Sequence, residues 1–390
     1  MNGSIAESIN GSITGPSVYR PMERILLAGV GTFAIAGLLL HVLDTTQGRG
    51  LITVALVSLS LAIAALFAYW SIPKSHLAAA LISGFVSAYV ALHLIGVVDE
   101  SESIGTGFWM QVIAAWLLAW AAVEQLAAIK TLSRLYNMLL GVVIPVVFGL
   151  WLLVLWELLT RGFDVPQVLL PSPSVIGERF GQSTSILWAD FKQTFLKSVL
   201  IGYVLGCGSG FIVAILIDRS PFLQRGLLPI GNLVSALPIV GVAPIMVMWF
   251  GFDWPSKAAV VIIMTFFPML VNTVAGLAAA KPMQHDLMKT YASSYWQSLF
   301  KLRLPEALPF IFNALKINST LALIGAIVAE FFGTPTVGMG FRISTEIGRM
   351  NVDMVWAEIA VAAVAGSLFY GVIALAERVF TFWHPSIRRA

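Results

Sequence analysis

Ten stretches of this chain are each about 20 residues long and nearly free of charge, the length a helix needs to cross the hydrocarbon core of a bilayer. They are Ile25–Leu43, Leu51–Ser71, Leu77–Val98, Phe108–Ala128, Asn137–Leu159, Phe195–Ile217, Leu227–Phe250, Ala258–Ala280, Phe310–Phe332 and Val355–Phe382. No soluble fold tolerates that many. Composition agrees: 58% of the 390 residues are hydrophobic and 11% are charged, against about 25% charged in soluble domains. The mean hydropathy is +0.88. The sequence therefore predicts an all-α, polytopic membrane protein of about ten transmembrane helices.

That class excludes several others. A single cysteine, Cys207, rules out an intrachain disulfide and reads as a packed thiol in a glycine-rich apolar run. The net charge of +3 includes no basic run longer than Arg388–Arg389, so nucleic acid is not an expected partner. The five histidines (41, 76, 93, 285 and 384) show no metal-ligand spacing, and no catalytic constellation is present. Neither a cofactor nor a metal is expected. No phosphate-binding Gly-rich loop ending in Gly-Lys occurs, so nucleotide chemistry has to come from another polypeptide.

Lys and Arg favour cytoplasmic loops. With an inside N-terminus, the cytoplasmic turns hold Lys74, Lys130/Arg134, Arg219/Arg225, Lys281–Arg303 and the C-terminal Arg388/Arg389. Both termini are then cytoplasmic. Residues 1–22 read as a flexible cytoplasmic tail, without the basic and apolar regions of a signal peptide. The long outer segment Arg161–Thr194 carries Leu170-Pro171-Ser172-Pro173-Ser174, where Ser174 is expected to cap a surface helix. The embedded carboxylates Glu157 and Glu377 are read as paired or snorkelling.

Two patterns bear on function. Span six carries Gly202, Gly206, Gly208 and Gly210, of which Gly202 and Gly206 form a small-xxx-small face for close helix packing. Span seven carries Pro229, Pro238 and Pro244 with Gly231 and Gly241. So many breakers predict a broken helix, and broken helices are how transport pathways are often built. The expected pathway residues are Pro238, Gly241, Pro244, Asn272 and Glu330. The cytoplasmic segment 281–309 is polar and aromatic, and within it Thr290–Pro309 reads as a short helix-turn-helix-like stretch. Its aromatics (Tyr291, Tyr295, Trp296, Phe300) suit a partner's groove.

Here a resemblance enters. Ala292-x-Ser294-x-Trp296-Gln297, then Leu304-Pro305 and Ala307-Leu308-Pro309, resembles the cytoplasmic coupling motif of ABC-importer permeases of the nitrate/sulfonate/taurine type. The likeness continues in order through Leu169–Pro173, Leu233–Pro238, Met248–Gly251, Ser256-Lys257, Phe266–Pro268, Asn272–Gly276, Ala329–Gly333 and Gly338–Gly340. It covers residues 137–390, a six-span permease core preceded by a four-span region at 23–136. The resemblance implies a prokaryotic inner-membrane subunit, itself not an enzyme, working by alternating access. It implies a second permease copy, cytoplasmic ABC ATPase subunits, an extracytoplasmic substrate-binding protein and the lipid bilayer as partners.

By the same likeness, Tyr291, Ala292, Ser293, Ser294, Tyr295, Trp296, Leu304 and Pro305 form the ATPase contact. Family members import nitrate, sulfonates, taurine, bicarbonate or small aromatic vitamin precursors. Ala292 stands where the motif has Gly, and is expected to sit in an ordinary helical bend; Ala314 for the usual Gly is expected to be innocuous. No Lys or Arg is expected midway along spans seven to nine, with Lys316 and Arg342 toward the ends. The alternative is a secondary transporter driven by an ion gradient, which should show two matched halves.

Overall fold

The structure is a computed structural model and describes residues 19–44, 48–71, 76–100, 105–127, 134–235, 238–333 and 336–383. Lys74, Lys130, Arg388, Arg389 and most of the expected tail lie outside the described residues. The described chain contains helices and no strand. Seven helices among the described residues are long and apolar enough to cross a membrane; three shorter apolar helices are Arg24–Leu40, Ala55–Leu66 and Ile239–Phe250.

The chain divides into two compact units, Met1–Ser174 and Val175–Ala390. The first contains α1 (Tyr19–Asp44), α2 (Gly48–Ser71), α3 (His76–Glu100), α4 (Thr106–Ala127) and α5 (Arg134–Gly162). Its core is rich in alanine, with Ala34, Ala64, Ala68, Ala79, Ala91, Ala114, Ala115 and Ala119 all buried. Small side chains let backbones approach, which supplies the dispersion that holds helices together where lipid removes the hydrophobic drive. Leu56, Phe85, Tyr89 and Leu92 point outward, as a lipid-facing surface requires. At the end of α5, Glu157 does not stand alone. It accepts from the Ser174 amide (2.9 Å) and hydroxyl (2.7 Å), and it pairs with Arg161.

The second unit begins within α6 (Pro173–Gln182) and continues through α7 (Thr184–Phe191), a π-helical stretch Lys192–Val199 and α8 (Leu200–Arg219). α9 (Pro221–Ser235) and α10 (Ile239–Phe250) follow, then α11 (Trp254–Leu277), α12 (Pro282–Thr290) and the short α13 (Tyr295–Ser298). A second π-helical turn, Leu299–Arg303, leads into α14 (Leu304–Glu330), followed by α15 (Met339–Gly348) and α16 (Val352–Phe380).

Here the sequence reading needs four corrections. Ser174 is the second residue of α6, not its cap: Pro173 opens the helix, at the position where its missing N–H costs nothing. Span six begins eleven residues earlier than expected, because α7, the π-stretch and α8 run as one apolar helix from Thr184 to Arg219. Span nine likewise starts at Tyr295. Lys316 therefore sits well inside its helix rather than near an end, where Glu377 of α16 neutralises it at 2.7 Å. The broken span seven that its breakers predict is seen at Pro238, whose extended conformation precedes the start of α10.

α11 is the axis of this unit, packed between α8 and α14. The glycines of α8 make the approach possible. A Cβ on Gly202 would lie 2.8 Å from the Ala258 carbonyl, and one on Gly210 would lie 2.5 Å from the Phe266 carbonyl. Gly208 faces open space instead. Cys207 is buried, and the Asn318 amide donates to its sulfur (3.2 Å) and to the Thr265 carbonyl (2.8 Å).

Candidate functional site

Both ends of the α8–α11–α14 bundle carry organised polar structure. At one end is the segment between α11 and α14. Pro282 starts α12, whose N-terminus is closed by Lys281 N–H donating to Gln284 Oε1 at 2.8 Å. After the turn, Ser294 caps α13: its Oγ accepts from Gln297 N (3.3 Å), while its own N–H donates to Gln297 Oε1 (2.9 Å). This reciprocal pair satisfies two amides that a helix start otherwise leaves orphaned. The helix-turn-helix expected within Thr290–Pro309 is not there: a turn at 291–294 follows α12, and one continuous helix runs from Tyr295 to Glu330.

Ala292 corrects the expectation of an ordinary bend. Its φ is +48°, in the left-handed region. The turn needs that conformation to reverse the chain between α12 and α13, and an L-residue with a Cβ is held there at a cost of about 1 kcal/mol. Ala292→Gly is therefore expected to slow amide exchange across residues 290–298 by about fivefold, equivalent to about 1 kcal/mol. Unchanged exchange would show that alanine bears the turn without strain.

The residues expected to form the ATPase contact separate into two sets. Tyr291, Trp296 and Phe300 are 78%, 49% and 60% exposed, and Ala292 and Ser294 are also exposed. Trp296 stacks on Phe300 with centroids 6.0 Å apart. Tyr295 and Leu304 turn inward against the core of the unit, and Pro305 lies in the first turn of α14.

Three further residues, which the sequence did not single out, organise this end. Arg303 donates to both oxygens of Asp218 (2.8 and 2.5 Å) and from Nε to the Leu277 carbonyl (3.0 Å). The Tyr295 hydroxyl donates to the same Asp218 carboxylate at 2.9 Å. The Arg219 guanidinium lies 5.8 Å from the Tyr295 ring centre and 6.0 Å from that of Trp296, within cation–π range. The missed signal was the Asp218-Arg219 pair closing an apolar helix.

At the opposite end, Glu330 is 1% exposed. It accepts from the Thr194 hydroxyl (2.8 and 3.0 Å) and the Gly340 amide (2.7 Å). Thr194 Oγ1 in turn accepts from Met339 N at 2.8 Å. Asp190, fully buried, accepts from Gly338 N (2.6 Å) and Arg342 Nε (2.8 Å). Gly338 has φ +143°, and a Cβ there would fall 2.8 Å from the Glu330 carboxylate. These bonds tie the N-terminus of α15 to α7, the π-stretch and α14. Close by, Lys257 is buried and donates to the Phe252 carbonyl at 2.7 Å.

Asp253 precedes α11 and accepts from Trp254 N (2.7 Å) and Gln193 Nε2 (2.8 Å). The Trp254 amide holds its carboxyl below the usual carboxylate range. Partial desolvation opposes that effect, while Gln193 and the charges of Lys197 and Lys257 reinforce it.

The five expected pathway residues are dispersed. Pro238 and Gly241 share the first turn of α10, where Gly241 N donates to the Pro238 carbonyl at 2.9 Å, and Pro244 follows in the same helix. Asn272 turns back on its own helix to the Pro268 carbonyl at 2.8 Å. Glu330 belongs to the polar latch at the other end of the bundle. Among the described residues no cluster of His, Cys, Asp and Glu has metal-binding geometry.

Residues 186–389 match the family model for the binding-protein-dependent transport system inner membrane component. The chain is 30% identical over 240 residues to the formylaminopyrimidine transport permease of Halalkalibacterium halodurans, covering 61% of this chain and 95% of that one. It is 30% identical over 260 residues to the riboflavin transport system permease of Chloroflexus aurantiacus (66% and 95%). It is 26% identical over 258 residues to the taurine transport system permease of Escherichia coli (66% and 93%). The chain belongs to this family and is an ABC-importer permease of the nitrate/sulfonate/taurine type, a multi-pass inner-membrane protein. Its transport is not that of an ion-gradient-driven carrier. Permeases of this family act together with ATPase and substrate-binding subunits.

Proposed function

We propose that this chain pairs with a second copy to form the translocation pathway of an ATP-driven importer, with segment 281–309 seated in a groove of a cytoplasmic ABC ATPase. The observation that carries the coupling role is the exposed Tyr291, Trp296 and Phe300 on a segment made rigid by two closed helix starts. Exposed aromatics on a pre-ordered surface bind with little further loss of conformational entropy. In this reading the chain makes about ten crossings, with residues 23–136 as a four-span appendage and 137–390 as the core. Both termini and segment 281–309 then face the cytoplasm. A binding protein delivers solute to the opposite face.

The solute is a small molecule of the kinds the relatives carry: an anion such as taurine, sulfonate, nitrate or bicarbonate, or a small aromatic vitamin precursor. The pairing of Lys316 with Glu377 favours the aromatic class, because it leaves that cation neutralised rather than presented to an anion. The higher identity to the formylaminopyrimidine and riboflavin permeases points the same way.

Co-purification with the ATPase encoded beside this gene tests the coupling role. Wild type should retain the ATPase, and Trp296→Ala should weaken that association by about 2 kcal/mol, roughly thirtyfold. A wild-type chain that binds no ATPase, or a Trp296→Ala variant that binds as wild type does, would remove the coupling assignment.

A further inference from the structure

Leu277, the last residue of α11, and Arg303, at the entry to α14, bracket the whole coupling segment. The structure joins them at one guanidinium. Arg303 Nε satisfies the Leu277 carbonyl, one of the acceptors that a helix C-terminus leaves without an intrahelical partner. Its two Nη atoms form a fork on Asp218 at the end of α8. Both side chains are largely buried, at 16% and 12% exposed. The Tyr295 hydroxyl adds a third donor to the same carboxylate. Three helix ends and the root of the segment therefore meet in a single planar, bidentate ion pair, which is directional as well as strong.

This geometry has a mechanical consequence. A segment joined only by its two chain connections would swing at its base, and a push on its aromatic tip would be absorbed there. With the base pinned, the segment cannot tilt relative to α8 and α11 unless the fork breaks. We propose that Asp218 and Arg303 are positioning residues that make the segment and the ends of α8, α11 and α14 move as one body, so that ATPase closure reorients the bundle. They contact neither solute nor nucleotide. The inference rests on the coupling reading of segment 281–309 and adds the residues through which that segment acts.

The test uses the full importer, with permease, ATPase and binding protein, in proteoliposomes. Asp218→Asn, Arg303→Gln, the double variant and Trp296→Ala are compared for ATPase retention, melting temperature, and solute imported per ATP hydrolysed. Asp218→Asn is nearly isosteric and keeps an acceptor for Tyr295, so it separates loss of the fork from loss of folding. The two single variants should keep the ATPase and stay folded, melting several degrees below wild type as loss of one partner of a largely buried pair requires, while import per ATP falls about tenfold. The double variant should be no worse than either single one, because both remove the same link.

Single variants that import as much per ATP as wild type, beside a defective Trp296→Ala, would overturn the role of the pair alone. So would losses that multiply in the double variant, or losses that simply follow melting temperature. A wild-type chain that retains no ATPase, or a Trp296→Ala variant without effect, would instead overturn the coupling reading, and the pair's role with it.

Discussion

Replacing Asp190 with Ala is expected to free α15 from the bundle and to cost about 3–5 kcal/mol. The carboxylate is fully buried and serves two donors, the Gly338 amide at 2.6 Å and Arg342 Nε at 2.8 Å. Its removal strands a guanidinium that is only 19% exposed and orphans a buried amide. Breaking one side of a buried pair costs more than the pair contributes, because the remaining charge has no solvent to return to. Asp190→Asn should cost less, about 1.5–3 kcal/mol, since the amide oxygen still accepts one bond. Melting of the detergent-purified protein checks the order Ala worse than Asn. Limited proteolysis between residues 333 and 350 should accelerate in the same order. Equal melting for both variants and wild type would mean that Arg342 finds another partner, and that the latch does not hold α15.

Gly206→Ala is the second large effect. The added Cβ would overlap Thr265 Oγ1 and sit 2.9 Å from the Ile262 carbonyl. Thr265 can rotate only by giving up its bond to the Val261 carbonyl at 2.8 Å, and a backbone carbonyl cannot rotate at all. The α8–α11 pair must therefore separate, and overpacking of this kind costs about 3 kcal/mol. Gly208→Ala, on the open side of the same helix, should be neutral or slightly stabilising, because alanine is the better helix former by about 1 kcal/mol in water. The pair of variants is its own control. If both melt alike, then α8 and α11 do not pack through this stripe.

Much of the architecture was legible because its causes are local. A run of twenty apolar residues dictates a helix whatever surrounds it, since an unpaired peptide group in hydrocarbon costs several kcal/mol. The Gly202/Gly206 pair announced a close contact through its spacing alone, and the structure extends that contact to Gly210. Segment 281–309 stood out through its aromatics and the pattern Ala292-x-Ser294-x-Trp296-Gln297, while the reciprocal cap of Ser294 and Gln297 emerged only in the structure. Helix ends were less legible. Thr184 and Tyr295 continue spans across polar residues that the window of apolarity excluded, and those residues are tolerated because they find partners inside the bundle.

The polar anatomy was not legible, because it joins residues far apart in the chain. Asp218 and Arg303 are 85 positions apart, and Asp190 and Arg342 are 152 apart. Neither pair has a spacing to read, and each looked like an ordinary charge at the end of an apolar run. Glu330 read as a pathway carboxylate from its place in the chain, and no spacing announced that Thr194 and Gly340 bond to it. Ala292 read as a mild replacement, yet the turn demands a left-handed backbone, a property of where α12 and α13 must go.

The sequence by itself determined most helices and the class of protein, because burial in lipid, capping and turn chemistry act over a few residues. Only the tertiary structure decided which charges pair and which glycines touch, because those depend on which helices and helix ends meet in space.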